Sequence, residues 1–275
     1  MTSDSNRITI EDIRSAKGRD EPLVCLTAYT ARVAQILDQY CDLLLVGDSM
    51  GMVLYGMEGT RGVTLDMIIN HGQAIMRGSK RACVVLDMPF GTYEDDPANA
   101  LKNAKRLMNE TGASAVKLEG GADLAPTIKH IVDAGIPVMA HIGLLPQSVE
   151  EPGGFRVQGK TEDTQEQLLQ DARAVEQAGA FAMVIEATLD AAADKITQAV
   201  SIPTIGIGAS PNCDGQILVT EDMLGITGDY VPKFVKQYAN MSEIMDDAAK
   251  HYAQEVRTRR FPAKDHLYTL SKKAS

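Results

Sequence analysis

Apolar runs of four or five residues recur along the chain at positions 23–27, 43–46, 83–86, 115–118, 137–140, 182–185 and 204–207. Between most of them, apolar positions return every three or four residues, which predicts helices over 31–39, 64–77, 97–109, 124–133, 164–177 and 191–199. Pro97 falls at a first helical position, and Gly78, Gly112, Gly135 and Gly179 stand where a helix would stop before a buried strand. Ahead of the first run, Thr9 and Asp12 resemble a capping box that opens a short helix closed by Gly18. Strands alternating with helices imply right-handed βαβ units and a parallel sheet. Such a sheet either lies open and doubly wound or closes as a (β/α)8 barrel. A weaker eighth run at 216–219 brings the repeat count to eight and favours the barrel.

Composition narrows the partners more than the fold. The 275 residues include 27 Lys and Arg against 37 Asp and Glu, a formal charge of −10, so phosphate backbones and anionic lipid are repelled. Neither nucleic acid nor a membrane is expected as the main partner. The four cysteines, Cys25, Cys41, Cys83 and Cys213, form no C-x-x-C pair, which argues against structural zinc. The polar N-terminal stretch has no apolar h-region, and no segment approaches the roughly 18 apolar residues of a membrane span, so a cytoplasmic protein is expected. No linker-like stretch marks a second domain. The longest non-periodic segment, 143–161, reads as an active-site loop or a disordered one; its Gly153, Gly154, Arg156 and Lys160 could approach an anion but suit a mobile lid better. From Asp229 the chain reads as peripheral helices and a basic tail.

Candidate chemistry sits at the ends of five consecutive apolar runs: Asp48, Asp87, Glu119, His141 and Glu186. Any one of these acids could simply bond a loop or cap the next helix. A lone histidine there could equally bond backbone. In a barrel, however, parallel strands all end on one face, so five such side chains would converge on one mouth. Carboxylates gathered there repel one another unless a cation intervenes, and their oxygens suit a hard ion such as Mg²⁺. Lys117 precedes Glu119 by two residues and shares its strand face. It would serve either as a counter-ion to Glu119 or as an anchor for a substrate carboxylate. The stretch GIGASP at 206–211 lacks the third glycine of a dinucleotide fingerprint and lies too late in the chain for it.

Several longer motifs carry a resemblance: LTAYTARVA at 26–34, VGDSMGMVLYG at 46–56, DMPFGTY at 87–93, VKLEGG at 116–121, PVMAHIGLLPQSV at 137–149, GGFRVQGK at 153–160 and IPTIGIGASPNCDGQILVTEDMLGI at 202–226. Together, over about 7–234, they resemble the ketopantoate (3-methyl-2-oxobutanoate) hydroxymethyltransferase family. The resemblance implies a single (β/α)8 barrel domain over 1–275, of the phosphoenolpyruvate mutase/isocitrate lyase type, with a short N-terminal helix and C-terminal helices. It places metal ligands at Asp48, Asp87 and Glu119, substrate contacts at Asp48, Ser49, Asp87 and Lys117, and a proton acceptor at Glu186. His141 takes an orienting or polarising role, and the choice between it and Glu186 as base stays open.

The resemblance also implies transfer of a hydroxymethyl group from 5,10-methylenetetrahydrofolate to 3-methyl-2-oxobutanoate through an enolate stabilised by Mg²⁺ or another divalent ion. The products would be 2-dehydropantoate and tetrahydrofolate, in pantothenate biosynthesis. A homo-oligomer is implied as well, commonly a decamer that exchanges C-terminal elements. One segment departs from the family pattern: MEGTRGVT at 57–64 stands where the family reads approximately DSTLPVT, which bears on folate affinity and substrate preference. Two other readings share the features: a metal-dependent C–C lyase or phosphomutase acting on a 2-oxoacid, and a catalytically silent binding paralogue.

Overall fold

The computed structural model describes residues 7–149, 155–226, 228 and 231–268. Eight parallel strands close into a barrel in chain order: β1 Leu23–Thr27, β2 Leu43–Val46, β3 Cys83–Asp87, β4 Ala115–Glu119, β5 Val138–Gly143, β6 Ala182–Glu186, β7 Thr204–Ile207 and β8 Gly215–Leu218. The weak eighth run is therefore a true strand, and β1 pairs with it through Leu23↔Gly215 to Leu26↔Leu218. β5 runs past its apolar stretch to Gly143, so His141 lies within the strand rather than after it. The polar side chain does not end the strand because it stays on a buried face.

Ten helices accompany the strands among the described residues: α1 Ile10–Arg14, α2 Ala31–Leu37, α3 Met50–Val53, α4 Leu65–Gly78, α5 Pro97–Thr111, α6 Ala125–Asp133, α7 Glu162–Gln177, α8 Asp190–Ala199, α9 Thr220–Leu224 and α10 Met241–Arg257. Their starts follow from the sequence. Thr9, Thr30, Thr64 and Thr161 accept from backbone N–H groups of their first turns, and Asp96 does so ahead of Pro97. Gly112 closes α5 at φ +72°, a left-handed conformation a side chain would resist.

Side chains alternate across each strand. Leu23, Cys25, Leu43, Leu45, Cys83, Val85, Ala115, Met139, Ala182, Val184, Ile205 and Ile217 form one buried cluster. Ile13 and Ala16, from α1 and the residues after it, join that cluster and close the N-terminal end of the barrel. Because the strand period is two, the same face continues from Val85 to Asp87, from Ala115 to Lys117 and Glu119, from Met139 to His141 and from Val184 to Glu186. The core pattern thus carries the polar residues into the C-terminal mouth.

At the opposite end, Asp214 fastens three segments. Its carboxylate accepts from Gly18 N (2.8 Å), Thr204 N (2.8 Å) and Thr204 Oγ1 (3.0 Å), and pairs with Lys17 Nζ at 3.0 Å. Burial pushes its pKa up, but the bonds from Thr204, Gly18 and Lys17 outweigh burial and lower it below the ordinary value. A carboxyl whose folded pKa is depressed stabilises above its unfolded pKa and loses that contribution as pH falls through the folded one. Asp214→Asn is expected to cost about 2–3 kcal/mol at neutral pH. It should also flatten the stability loss below about pH 4, where the unfolded carboxyl titrates. Urea unfolding at pH 7 and pH 3 measures both effects.

The chain divides into two compact units, one of residues 7–220 with Pro232–Val235, the other beginning at Glu221–Val231 and continuing from Lys236. In the second unit, Tyr238 N donates to the Met223 carbonyl and Ser242 Oγ to the Gly225 carbonyl. Its long helix, α10, buries none of its residues. Ile244, Met245, Tyr252 and Val256 form an exposed apolar stripe along it.

Candidate active site

The six strand-end and inward polar residues form one continuous cluster at the barrel mouth. Lys117 Nζ lies 3.0 Å from Asp87 Oδ1 and 3.2 Å from His141 Nδ1. Glu119 Oε1 approaches the same His141 nitrogen at 3.5 Å, while His141 Nε2 stands 3.2 Å from Glu186 Oε2. That last contact is an ion-pair approach without a directed hydrogen bond to Nε2. Asp48 joins through its backbone, whose N–H donates to Asp87 Oδ2 at 2.9 Å. Strand register explains the adjacency: Asp87 pairs with Lys117, Glu119 with His141, and Gly143 with Glu186.

Two glycines permit the close approach. A Cβ at Gly143, where φ is +92°, would meet the Glu186 carbonyl oxygen at 2.4 Å and Thr188 Oγ1 at 2.6 Å. A Cβ at Gly47 would meet Ser49 Oγ at 2.9 Å. Ser49 turns its hydroxyl to Tyr29 OH at 2.8 Å, beside the cluster.

Burial sets the electrostatics. Asp48, Asp87, Lys117, Glu119 and His141 are each 5% exposed or less, whereas the Glu186 side chain retains 16% of its surface. Burial, then the neighbouring Asp87 and Glu119 carboxylates, hold the Asp48 pKa well above the ordinary range. Burial would raise Glu119 too, but His141 and Lys117 lower it. For Lys117, burial is outweighed by Asp87, Glu119 and Asp48, and its pKa rises. His141 is pushed down by burial and Lys117 but raised overall, to about 9, by Glu119 and Glu186.

Whether a divalent cation suits these residues can be judged from their charges. Among the described residues, no three His, Cys, Asp or Glu side chains form a ready-made metal cage. Mg²⁺ does not require one, since it keeps several waters and uses one or two carboxylates. The cluster sets four carboxyl groups against two cations, so full ionisation leaves a formal −2. The carboxylate repulsion that raises Asp48 is the charge a hard divalent ion would neutralise. The donor set therefore fits one, with Asp87 bonded to the Asp48 N–H and Gln147 joining Asp48 to Glu119.

Two residues that the strand pattern did not mark complete the mouth. Tyr93, 2% exposed, donates to Gln147 Oε1 at 2.6 Å and accepts from Glu119 N at 3.2 Å. Gln147 is likewise 2% exposed and bonds Asp48 and Glu119. Its only trace in the sequence is a polar residue within the apolar stretch LLPQSV. Of the lid residues, Arg156 and Lys160 are exposed, while Gly153 and Gly154 lie outside the described residues. Gln158 does form a parallel bridge with Thr188, just after β6. The divergent 57–64 segment packs beside the mouth loops, with the Arg61 guanidinium 4.0 Å above the Phe90 ring.

A closed parallel barrel with acid and base groups at its C-terminal mouth has the layout of a (β/α)8-barrel enzyme, and its fold is shared with members of the phosphoenolpyruvate mutase/isocitrate lyase superfamily. Its fold matches phosphonopyruvate hydrolase in complex with oxalate and Mg²⁺ at a TM-score of 0.61, with 13% identity, over 95% of this chain and 92% of that one. It also matches 2,3-dimethylmalate lyase, a member of that superfamily, at 0.57 and 14% identity, over 95% and 89%. The chain belongs to the ketopantoate hydroxymethyltransferase family, which matches residues 7–264. It is 59% identical to the 3-methyl-2-oxobutanoate hydroxymethyltransferase of Mesorhizobium japonicum, covering 98% of this chain and 94% of that protein. Its activity is accordingly that of an enzyme transferring a one-carbon unit.

Proposed function

We propose that the one-carbon donor is 5,10-methylenetetrahydrofolate and the acceptor 3-methyl-2-oxobutanoate, giving 2-dehydropantoate and tetrahydrofolate in pantothenate biosynthesis. The observation that carries this reading is the placement of Glu186, the most exposed carboxylate of the cluster, beside a buried cation-rich wall of Lys117 and His141. The fold alone also suits a C–C lyase or phosphomutase, but the 59% identical relative bears the transferase name.

In this reading Lys117 holds the substrate carboxylate from the barrel wall, with Asp48, Ser49 and Asp87 around the oxoacid. A divalent cation such as Mg²⁺ on Asp48 and Asp87, with Glu119 adjoining, would supply Lewis acidity toward the keto oxygen. Glu186 takes the C3 proton, and the electron pair moves from the C3–H bond into the carbonyl system. His141 orients Glu186 from Nε2 and stands ready to share its proton. C3 then bonds to the methylene carbon as its bond to one folate nitrogen breaks; water supplies the hydroxyl oxygen as the bond to the other nitrogen breaks, and the proton taken by Glu186 and one from that water go to the two nitrogens of the departing tetrahydrofolate. The buried walls keep water from competing for the groups that orient the acceptor.

Product analysis tests the reading. 2-Dehydropantoate should form only when oxoacid and folate are both present, and formation should stop when divalent ions are chelated. Folate-independent cleavage of a 2,3-dialkylmalate or a phosphonate would overturn it, and inactivity toward all of these would favour a binding protein.

The same reading includes a homo-oligomer, commonly a decamer, supported by the uncovered apolar stripe on α10. A monomer mass in sedimentation would contradict it. A cytoplasmic location also belongs to the reading. Among the described residues no helix is long and apolar enough to cross a membrane. All four cysteines are free thiols, as a reducing compartment keeps them.

A further inference from the structure

Gln147 makes more directed bonds at the mouth than a filler side chain needs. It sits in the 3-10 turn Pro146–Ser148 that follows β5. Its Nε2 donates to Asp48 Oδ2 at 2.7 Å and to the Met88 carbonyl at 3.0 Å, which uses both N–H bonds of the amide. Its Oε1 accepts from Tyr93 OH, and its backbone N–H donates to Glu119 Oε2 at 3.0 Å. A directed chain therefore runs from Glu119 N–H to Tyr93 OH, on to Gln147 and then to Asp48. It ties the residues following β2 and β3 to the ends of β4 and β5.

The pattern fixes which way the amide points. If it flipped, Oε1 would face the Asp48 carboxylate and the Met88 carbonyl, whereas Tyr93 OH, also 3.2 Å from the Glu119 carbonyl, can turn its hydrogen there and accept from the NH₂. Two bonds would become two repulsions. The fixed amide in turn fixes Asp48, because Oδ2 is committed and the carboxylate plane can no longer turn freely. Oδ1 is left to meet a ligand.

We propose that Gln147 is a positioning residue, which holds the Asp48 carboxylate in the orientation that presents Oδ1 to a divalent cation and, through Tyr93, links that orientation to Glu119. The proposal rests on the reading of Asp48 as a cation ligand. Partners that orient ligating groups in this way typically govern metal affinity or activity by about 10–100-fold.

The test replaces Gln147 with methionine, which keeps the length and loses every side-chain bond. Three quantities are read: the Mg²⁺ Kd by calorimetry without substrate, kcat and KM for exchange of the C3 proton at saturating Mg²⁺, and Tm. Gln147→Met should weaken Mg²⁺ binding by about 10–100-fold and lower kcat by about tenfold or more. KM for the oxoacid should change far less. A purely structural role would lower Tm and leave Kd and kcat at their wild-type values, and either one unchanged overturns the proposal. If Gln147→Met does not fold, Tyr93→Phe decides. It removes the hydroxyl that joins the amide to Glu119 and should weaken Mg²⁺ binding several-fold, and an unchanged Kd overturns the proposal. A wild-type protein that neither binds Mg²⁺ nor exchanges the proton defeats the functional reading itself, a result distinguishable from failure of the Gln147 role alone.

Discussion

Glu186→Gln is expected to slow removal of the C3 proton by about 100- to 10,000-fold while the oxoacid still binds. Glutamine keeps the size and a hydrogen-bonding oxygen but cannot accept the proton. The structure gives a reason to expect the loss at Glu186 rather than at His141. The imidazole is 3% exposed, with Nδ1 held between Lys117 and Glu119 and Nε2 against Glu186. A buried ring engaged from both sides is well placed to orient a base and poorly placed to reach a substrate carbon. Glu186, with 16% of its side chain open, can do so. His141→Asn should therefore cost less, about 10–100-fold. Deuterium exchange into 3-methyl-2-oxobutanoate reads both variants. Normal exchange in Glu186→Gln with none in His141→Asn would reverse the roles.

Asp87→Asn is expected to destabilise the barrel by about 3–5 kcal/mol, because it breaks a buried ion pair from one side. Asp87 Oδ1 lies against Lys117 and Oδ2 accepts from Asp48 N, so the new NH₂ group must face either an ammonium or an N–H donor. Lys117 would keep its charge in a wall where its own side chain is 5% exposed. Adding Lys117→Met should recover most of the lost stability, since a buried pair replaced by apolar volume is often neutral. The double variant should nevertheless remain inactive and bind divalent ions weakly. Urea unfolding and Mg²⁺ calorimetry across this cycle separate the two roles. Wild-type metal affinity in Asp87→Asn would remove it from the cation site.

The sequence shows the alternation of strands and helices plainly because its signal is local, while closure into a barrel hangs on the weaker eighth run. Short apolar runs, helical spacing and stop glycines can each be seen within ten or fifteen residues, and so can an acid at the end of a run. The short helices α3 and α9, of four and five residues, have too few residues to show a period. His141 was visible as a strand-end residue, but its place inside β5 depends on a buried neighbour set that composition does not display. Gln147 was illegible for a different reason: its bond to Asp48 spans 99 positions, and no spacing rule connects a loop glutamine to a carboxylate on another strand. Likewise, nothing in the motif DMPFGTY marks Tyr93 as the hydroxyl between Glu119 and Gln147. Strand ends announce which groups reach the mouth, whereas the bonds that aim those groups come from loops.

The proposed function turns on one step, removal of the C3 proton from 3-methyl-2-oxobutanoate ahead of any bond to the one-carbon unit. NMR of the oxoacid in D₂O, with enzyme and Mg²⁺ but no folate, tests it most directly. The C3–H signal should disappear with wild-type protein and persist with Glu186→Gln or after chelation. A C3–H signal that keeps its full intensity with wild-type protein and Mg²⁺ would contradict the claim.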